Sequence, residues 1–214
     1  MNIFARYAAG FLLATGVTTA VLAVDLPGYR ADGSILLPNQ WSLRPAGRQI
    51  EMGDFPVNIA LHPGGGFAAV LHSGHGRHEV VVVDLKQERV VSRAPLQESF
   101  YGITFSPDGR TLYCSGAGGE VVHVFGFKDS TLTVQPDIRV RDSSERGIPC
   151  GLAVSQDRRD LFVANVWGQS VSQLDLTART NKADIFFTPP AGTADKLFEA
   201  AKHDETEQEQ TKRA

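Results

Sequence analysis

The strongest constraint on this chain is that it repeats itself. Val57-Asn58-Ile59-Ala60-Leu61-His62-Pro63-Gly64, Tyr101-Gly102-Ile103-Thr104-Phe105-Ser106-Pro107-Asp108 and Cys150-Gly151-Leu152-Ala153-Val154-Ser155-Gln156-Asp157 align without a gap. In register behind them follow Ala69-Val70-Leu71-His72, Tyr113-Cys114-Ser115-Gly116 and Phe162-Val163-Ala164-Asn165. A period of about 45 residues containing only strand and turn signals is the spacing of a four-stranded propeller blade. Such a unit cannot bury its own faces, so the repeats must stack on one another. The repeats run over about 57–96, 100–140 and 149–187.

Within a repeat, four strands are predicted. The first alternates apolar and small residues, as Gly102-Ile103-Thr104-Phe105 does, which suits a strand whose two faces pack differently. Ser106-Pro107-Asp108-Gly109-Arg110 then reads as a turn. Proline presets φ, aspartate caps the local backbone and glycine tolerates positive φ. The equivalence of Asp108 and Asp157 assigns both to turns of this kind rather than to an ion site. The second strand is Leu112 to Ser115, the third Val80 to Leu85, Val121 to Phe127 or Val171 to Leu176, and the fourth is more polar. Upstream, Trp41 to Met52 is expected to form one outer strand of a neighbouring blade. The fold class is therefore all-β, a partial β-propeller of about three four-stranded blades plus an N-terminal outer strand.

Ser-Pro-Asp-Gly-Arg-Thr-Leu-Tyr (106–113) and Phe-Val-Ala-Asn (162–165) resemble the YVTN repeat of bacterial surface and periplasmic propellers. The stretch from about Ser34 to Ile185 is also similar to the N-terminal propeller module of proteins that fuse such repeats to an alkaline-phosphatase-like phosphoesterase domain. Lactonase-like propellers share the repeat. The resemblance implies the fold. It carries over no catalytic residue, because repeat consensus positions are turn and core positions. Those families have more blades than the three found here, so the chain reads as a truncated relative.

Residues 1–23 have the pattern of a signal peptide: Arg6 in a short leading segment, an uncharged run from Tyr7, and Val21-Leu22-Ala23 with small side chains at the cleavage positions. The alternative is an uncleaved anchor, since about 18 apolar residues are at the lower limit for spanning. Export places the propeller, 24–188, in the periplasm or outside the cell. Residues 189–214 leave the repeat, and Glu205 to Arg213 is wholly polar. Such a tail buries too little surface to offset its ordering entropy and is expected to be disordered or a frayed helix. The net charge of −3, with both signs interspersed, gives no clustered basic field for nucleic acid. No membrane contact beyond the signal segment is expected.

The candidate site residues fall in loops. His72, His75 and His78 could ligate a metal through their imidazoles, but a glycine-containing loop does not fix their direction, and a polar loop is the favoured reading. Arg146 and Trp167 lie in loops that would flank a propeller mouth, where ligands bind. Arg141 and Arg139 share the Arg146 loop with Asp142 and Glu145, which reads as solvated. Trp167 could stack a ligand or pack on the adjacent blade. Cys114 and Cys150 come from adjacent repeats, and a bridge would need their Cα atoms within about 7 Å. Two packed thiols are the favoured alternative. No Gly-x-Ser-x-Gly elbow, His-Glu-x-x-His or comparable nucleophile set occurs. No cofactor is implied.

The expected role is thus a non-catalytic scaffold or interaction module of the cell envelope. The alternatives are the N-terminal remnant of a propeller–phosphoesterase and a lactonase-like enzyme. An open arc leaves apolar blade faces uncovered at its ends, so self-association or a protein partner on those faces is expected.

Overall fold

The computed structural model describes residues 25–187, so the expected signal segment and polar tail lie outside the described residues. Two compact units divide the chain after Gln49. Among the described residues no helix is long and apolar enough to cross a membrane.

In the first unit, β1 (Gly28–Tyr29), β2 (Ile35–Leu36) and β3 (Ser42–Leu43) pair antiparallel in that order. The turn between β1 and β2 is set by Asp32, whose Oδ1 accepts the Ser34 N–H at 3.0 Å. This corrects the expectation of one strand from Trp41 to Met52. Only Ser42–Leu43 is extended and paired. Pro45 has no N–H to give a ladder, and Gly47 turns the chain at φ 74°.

The second unit carries the repeats. The first sheet is β4 (Pro56–Leu61), β5 (Phe67–His72), β6 (Glu79–Asp84) and β7 (Arg89–Pro95). The second is β8 (Ile103–Phe105), β9 (Thr111–Ser115), β10 (Val121–Lys128) and β11 (Thr131–Arg139). The third is β12 (Pro149–Val154), β13 (Asp160–Asn165), β14 (Ser170–Asp175) and β15 (Thr180–Phe186). Each is a four-stranded antiparallel meander, as the repeat predicts. The turns form as read. Ser106 Oγ donates to Asp108 at 2.6 Å and accepts the Thr111 N–H at 3.0 Å, and Ser155, Asp157 and Asp160 repeat the arrangement.

The register makes positions equivalent from sheet to sheet. Leu71 pairs with Val80 and Val80 with Ala94; Ser115 with Val122 and Val122 with Ile138; Ala164 with Val171 and Val171 with Ile185. These rows lie on what we call the forward face. In the first sheet that face (Ala69, Leu71, Val80, Val82) packs with Leu112, Cys114, Phe125 and Phe127 of the second. The second sheet's forward face (Tyr113, Val122, Val124, Ile138) packs with Leu161, Val163 and Leu174 of the third. Alternating side chains on central strands thus build two junctions of the same design. At the first, His62, Phe67, Phe105 and Phe127 add edge-on ring contacts, with centroids 5.1 Å apart for His62 and Phe105.

Cys114 and Cys150 are free thiols. Cys114 faces backward into the first junction, whereas Cys150 is the second residue of β12 in the third sheet. Their side chains therefore serve different packing environments. Burial pushes the Cys114 thiol far above the usual range, so it is unreactive in the folded chain.

Sheet approach at the second junction depends on one glycine. A Cβ added to Gly102 would lie 1.8 Å from the Cys150 carbonyl oxygen and 2.8 Å from Leu152 Cγ. Backbone cannot yield as a side-chain tip does, so Gly102→Ala is expected to destabilise by about 1–3 kcal/mol through overpacking. Urea unfolding of the two proteins checks this, and an unchanged midpoint would contradict it.

The open ends of the arc differ. Both faces at the two junctions are covered, and so are the backward-facing Ala68, Val70, Val81 and Val83 of the first sheet. Along β4 the same backward face is open: Ile59 and Leu61, which pair with Val70 and Ala68, are 58% and 67% exposed. The third sheet's forward face is open as well: Ile185 is 52% exposed, whereas its equivalents Ala94 and Ile138 are 3% and 1% exposed.

Candidate functional site: the loop end of the three sheets

In each meander, the ends of the second and fourth strands and the starts of the first and third lie at one end of the sheet. All metal and ligand candidates from the sequence fall at that end. The loops there are joined into a row by hydrogen bonds: Ser73 Oγ donates to the Ser99 carbonyl (2.9 Å), Gly102 N–H to Ser115 Oγ (2.8 Å), Ile148 N–H to Glu120 Oε1 (2.7 Å), and Trp167 N–H to the Gly147 carbonyl (3.1 Å).

The histidine loop is the first part of the row. His72 ends β5 and is fully buried, at the position where the third sheet has buried Asn165. Its Nε2 accepts the Gly53 N–H at 3.3 Å, which places the ring proton on Nδ1, where no partner meets it. His78 Nδ1 accepts the Ser99 N–H at 2.9 Å, and its Nε2 donates to the Gly74 carbonyl at 3.2 Å. His75 is exposed and lines a shallow cleft of about 360 Å³ with Asp54, Phe55, Ser73 and Gly74. The three rings are not brought together. Among the described residues no group of three or more His, Cys, Asp or Glu is placed to hold a metal ion. His78 uses both ring nitrogens on backbone and His72 is buried at the end of β5, which leaves His75 as the exposed imidazole of the three.

Burial also pushes the His72 imidazole below its ordinary value of 6.5, against the attraction of Glu79. The unfolded chain therefore takes up a proton before the folded one does. His72 contributes stability that is complete above pH 6.5 and is lost as pH falls through the lowered value. The fall in urea midpoint between pH 7 and pH 5.5 is expected to be smaller in His72→Gln than in the parent. An equal fall in both would contradict this.

The middle of the row is a groove of about 530 Å³ lined by Glu98, Gly116, Gly118, His123, Asp137 and Arg139, among others. His123 Nε2 donates to the Glu98 carbonyl at 2.8 Å, and Nδ1 lies 3.1 Å from Asp137 Oδ2. Both nitrogens are committed, so the ring braces the groove.

At the second junction lies a polar network that the sequence reading missed. Arg141 is buried, not solvated. Its Nη2 donates to Ser170 Oγ (3.3 Å), Ser172 Oγ (3.1 Å) and Asp184 Oδ1 (3.2 Å). Its Nε lies 3.8 Å from Glu120 Oε2, close enough for an ion pair and too long for a hydrogen bond. Glu120 is fully buried in the left-handed conformation at φ 52°. Burial pushes its carboxyl up, and the Ile148 N–H and Arg141 pull the other way. Asn165 Nδ2 donates to Ser172 Oγ at 2.8 Å, while its Oδ1 is buried without a partner. Glu120 and Arg141 come from different loops of the second repeat, so no local spacing signals the pair.

The row ends at Arg146 and Trp167. The structure brings their loops together through the Trp167 and Gly168 N–H groups, both bound to the Gly147 carbonyl at 3.1 Å. Both side chains are exposed, Trp167 by 68%. Phe187 adjoins them, its N–H donating to the Gln169 carbonyl at 2.8 Å. An exposed indole and a guanidinium on a braced loop pair can stack and hydrogen-bond a ligand. A buried ion-pair network behind them holds the loops.

No family model matches the sequence, and no curated protein matches it. Solved structures do. Kuenenia stuttgartiensis hydrazine synthase aligns with a TM-score of 0.54 at 18% identity, over 68% of this chain and 40% of that one. A functionally unknown protein from Desulfotomaculum acetoxidans DSM 771 aligns with a TM-score of 0.55 at 17% identity, over 62% and 43%. This chain thus spans about two fifths of each neighbour, and the likeness concerns fold alone. It agrees with a propeller-like arrangement of four-stranded sheets.

Proposed function

We propose that this chain is an exported propeller module of the YVTN type that works in the cell envelope by binding, not by catalysis. The observation that carries the reading is the loop end. Three sheets present one hydrogen-bonded row of loops that ends in the exposed Arg146, Trp167 and Phe187. Loops fixed on a sheet scaffold are where propellers recognise ligands. The polar side chains behind the row are committed within the fold: His78 and His123 to backbone, and Arg141 to Asp184 and the serines. A nucleophile would need an activating base within reach. Here the buried bases brace loops. The signal-like segment supports export.

The test places a photo-crosslinking amino acid at Trp167, with Lys182 at the opposite end of the third sheet as control, in a bacterial host that is then fractionated. Adducts in the envelope fraction from position 167 and none from 182 are expected. Equal labelling at both positions, or a chain retained in the cytoplasm with Met1 intact, would contradict the reading. Turnover of p-nitrophenyl phosphate or a simple lactone by the purified chain would contradict its non-catalytic part.

A further inference from the structure

We infer that Glu120 is a proton-operated latch on the loop pair that carries Arg146 and Trp167, seated when its carboxyl is protonated and lifted when it is ionised. The inference concerns the motion of these loops and does not depend on what they bind. Glu120 lies in the loop before β10 and is fully buried. Its Oε1 accepts the Ile148 N–H at 2.7 Å, while its Oε2 is buried without a partner. The loop pair rests on this floor. A Cβ added to Gly147 would meet Arg141 Nε at 2.8 Å, and one added to Gly168 would meet Nη1 at 3.0 Å, so both backbones lie against the guanidinium. The seated loop holds Arg146 and Ile148 in the left-handed region, at φ 49° and 56°. For a β-branched residue that conformation is strained and must be imposed by its surroundings. The hydrogen bond from Ile148 to Glu120 is placed to impose it.

Charge decides which protonation state keeps the loop down. Two carboxylates face one guanidinium: Arg141 Nη2 donates to Asp184 Oδ1 of β15 at 3.2 Å, and its Nε lies 3.8 Å from Glu120 Oε2. On the Arg146 loop, Asp142, Glu145 and Arg146 are exposed to solvent, and Glu145 repels Glu120. Ala117–Gly119 and β12 bring no charged side chain, and β13 and β14 bring the neutral Asn165, Ser170 and Ser172. With Glu120 ionised, the seated cluster holds an excess negative charge and a carboxylate oxygen without a donor. Both are relieved when the loop lifts and water reaches the carboxylate. The protonated carboxyl still accepts the Ile148 N–H and has no charge to desolvate. Burial, with Glu145 adding to it, holds the seated carboxyl above the ordinary glutamate value of 4.5, against the pull of the Ile148 N–H and Arg141. The seated state therefore binds the proton more tightly, and a rise in pH through the raised value favours the lifted one.

Trp167 reports on the latch. The chain has two tryptophans, and Trp41→Phe, at an exposed position, leaves Trp167 as the sole indole. Time-resolved fluorescence anisotropy of that protein is followed as pH is raised. The amplitude of the fast decay is expected to grow at least about twofold between about pH 4 and about pH 8, in a one-proton transition with its midpoint above 4.5. Glu120→Gln keeps an acceptor for Ile148 without the charge and is expected to hold the small amplitude throughout. Asp184→Asn leaves Arg141 to Glu120 alone and is expected to cut the rise by at least about half. It also carries the test should Glu120→Gln lose its far-ultraviolet circular dichroism. A flat profile in the Trp41→Phe protein, or a larger amplitude in acid than in base, would overturn the inference. So would a rise that either carboxylate variant leaves unchanged.

Discussion

Arg141→Ala is expected to lower the unfolding free energy by about 3–5 kcal/mol, the cost of leaving a buried ion pair without one partner. The side chain does three things at once. It opposes the Glu120 carboxylate, it holds Asp184 in place, and it donates to Ser170 and Ser172, which also receive Asn165. Removing it strands Glu120, which is fully buried and already pushed up by desolvation. Arg141→Lys keeps the charge but cannot reach the serines, Asp184 and Glu120 together, so a smaller loss is expected. Arg141→Met combined with Glu120→Gln removes both charges and is expected to recover much of the loss, because buried pairs are costly to desolvate. Urea unfolding at pH 7 measures all three. A loss below about 1 kcal/mol for Arg141→Ala would mean that the guanidinium is solvated and the network does not brace the junction.

The second large effect is a contrast between two residues at one repeat position. Ile138 and Ile185, on the fourth strands of neighbouring sheets, pair with the equivalent third-strand residues Val122 and Val171. Ile138 is sealed in the second junction with Val122, Leu161 and Leu174. Ile138→Ala is therefore expected to cost about 2–5 kcal/mol, through lost transfer free energy and the cavity left behind. Ile185→Ala removes the same atoms from a face half in water and is expected to cost less than about 1 kcal/mol when measured on dilute monomer. Chemical denaturation of both variants gives the contrast directly. Equal costs would show that the third sheet's forward face is covered within the monomer.

Much of the fold is legible in the sequence because a blade is specified locally. Ser106-Pro107-Asp108-Gly109 marks its own turn, and the hydroxyl-to-carboxylate hydrogen bond of that turn recurs at Ser155 and Asp157. Alternation in Leu112 to Ser115 and Phe162 to Asn165 places one residue forward and the next backward, which fixes the two junctions. What could not be read depends on distance in space. Arg141 looks solvated beside Asp142 and Glu145, because nothing nearby in sequence announces Glu120, Ser172 and Asp184. His72, His75 and His78 look like a set because they are three residues apart, but a strand end, a loop tip and a strand approach point them apart. Trp41 to Met52 has strand-like residues, yet Pro45 and Gly47 outweigh them. The cover over Val70 and Val81 is a tertiary fact with no local signature.

The central claim is that three consecutive sheets stack in chain order, each forward face on the next backward face. Methyl–methyl nuclear Overhauser effects test it most directly. Leu71, Val80 and Val82 are expected to show cross-peaks to Leu112, and Val122, Val124 and Ile138 to Leu161, Val163 and Leu174. Cross-peaks joining Val80 or Val82 directly to Leu161 or Leu174, without those to the second sheet, would contradict the stacking order and the account built on it.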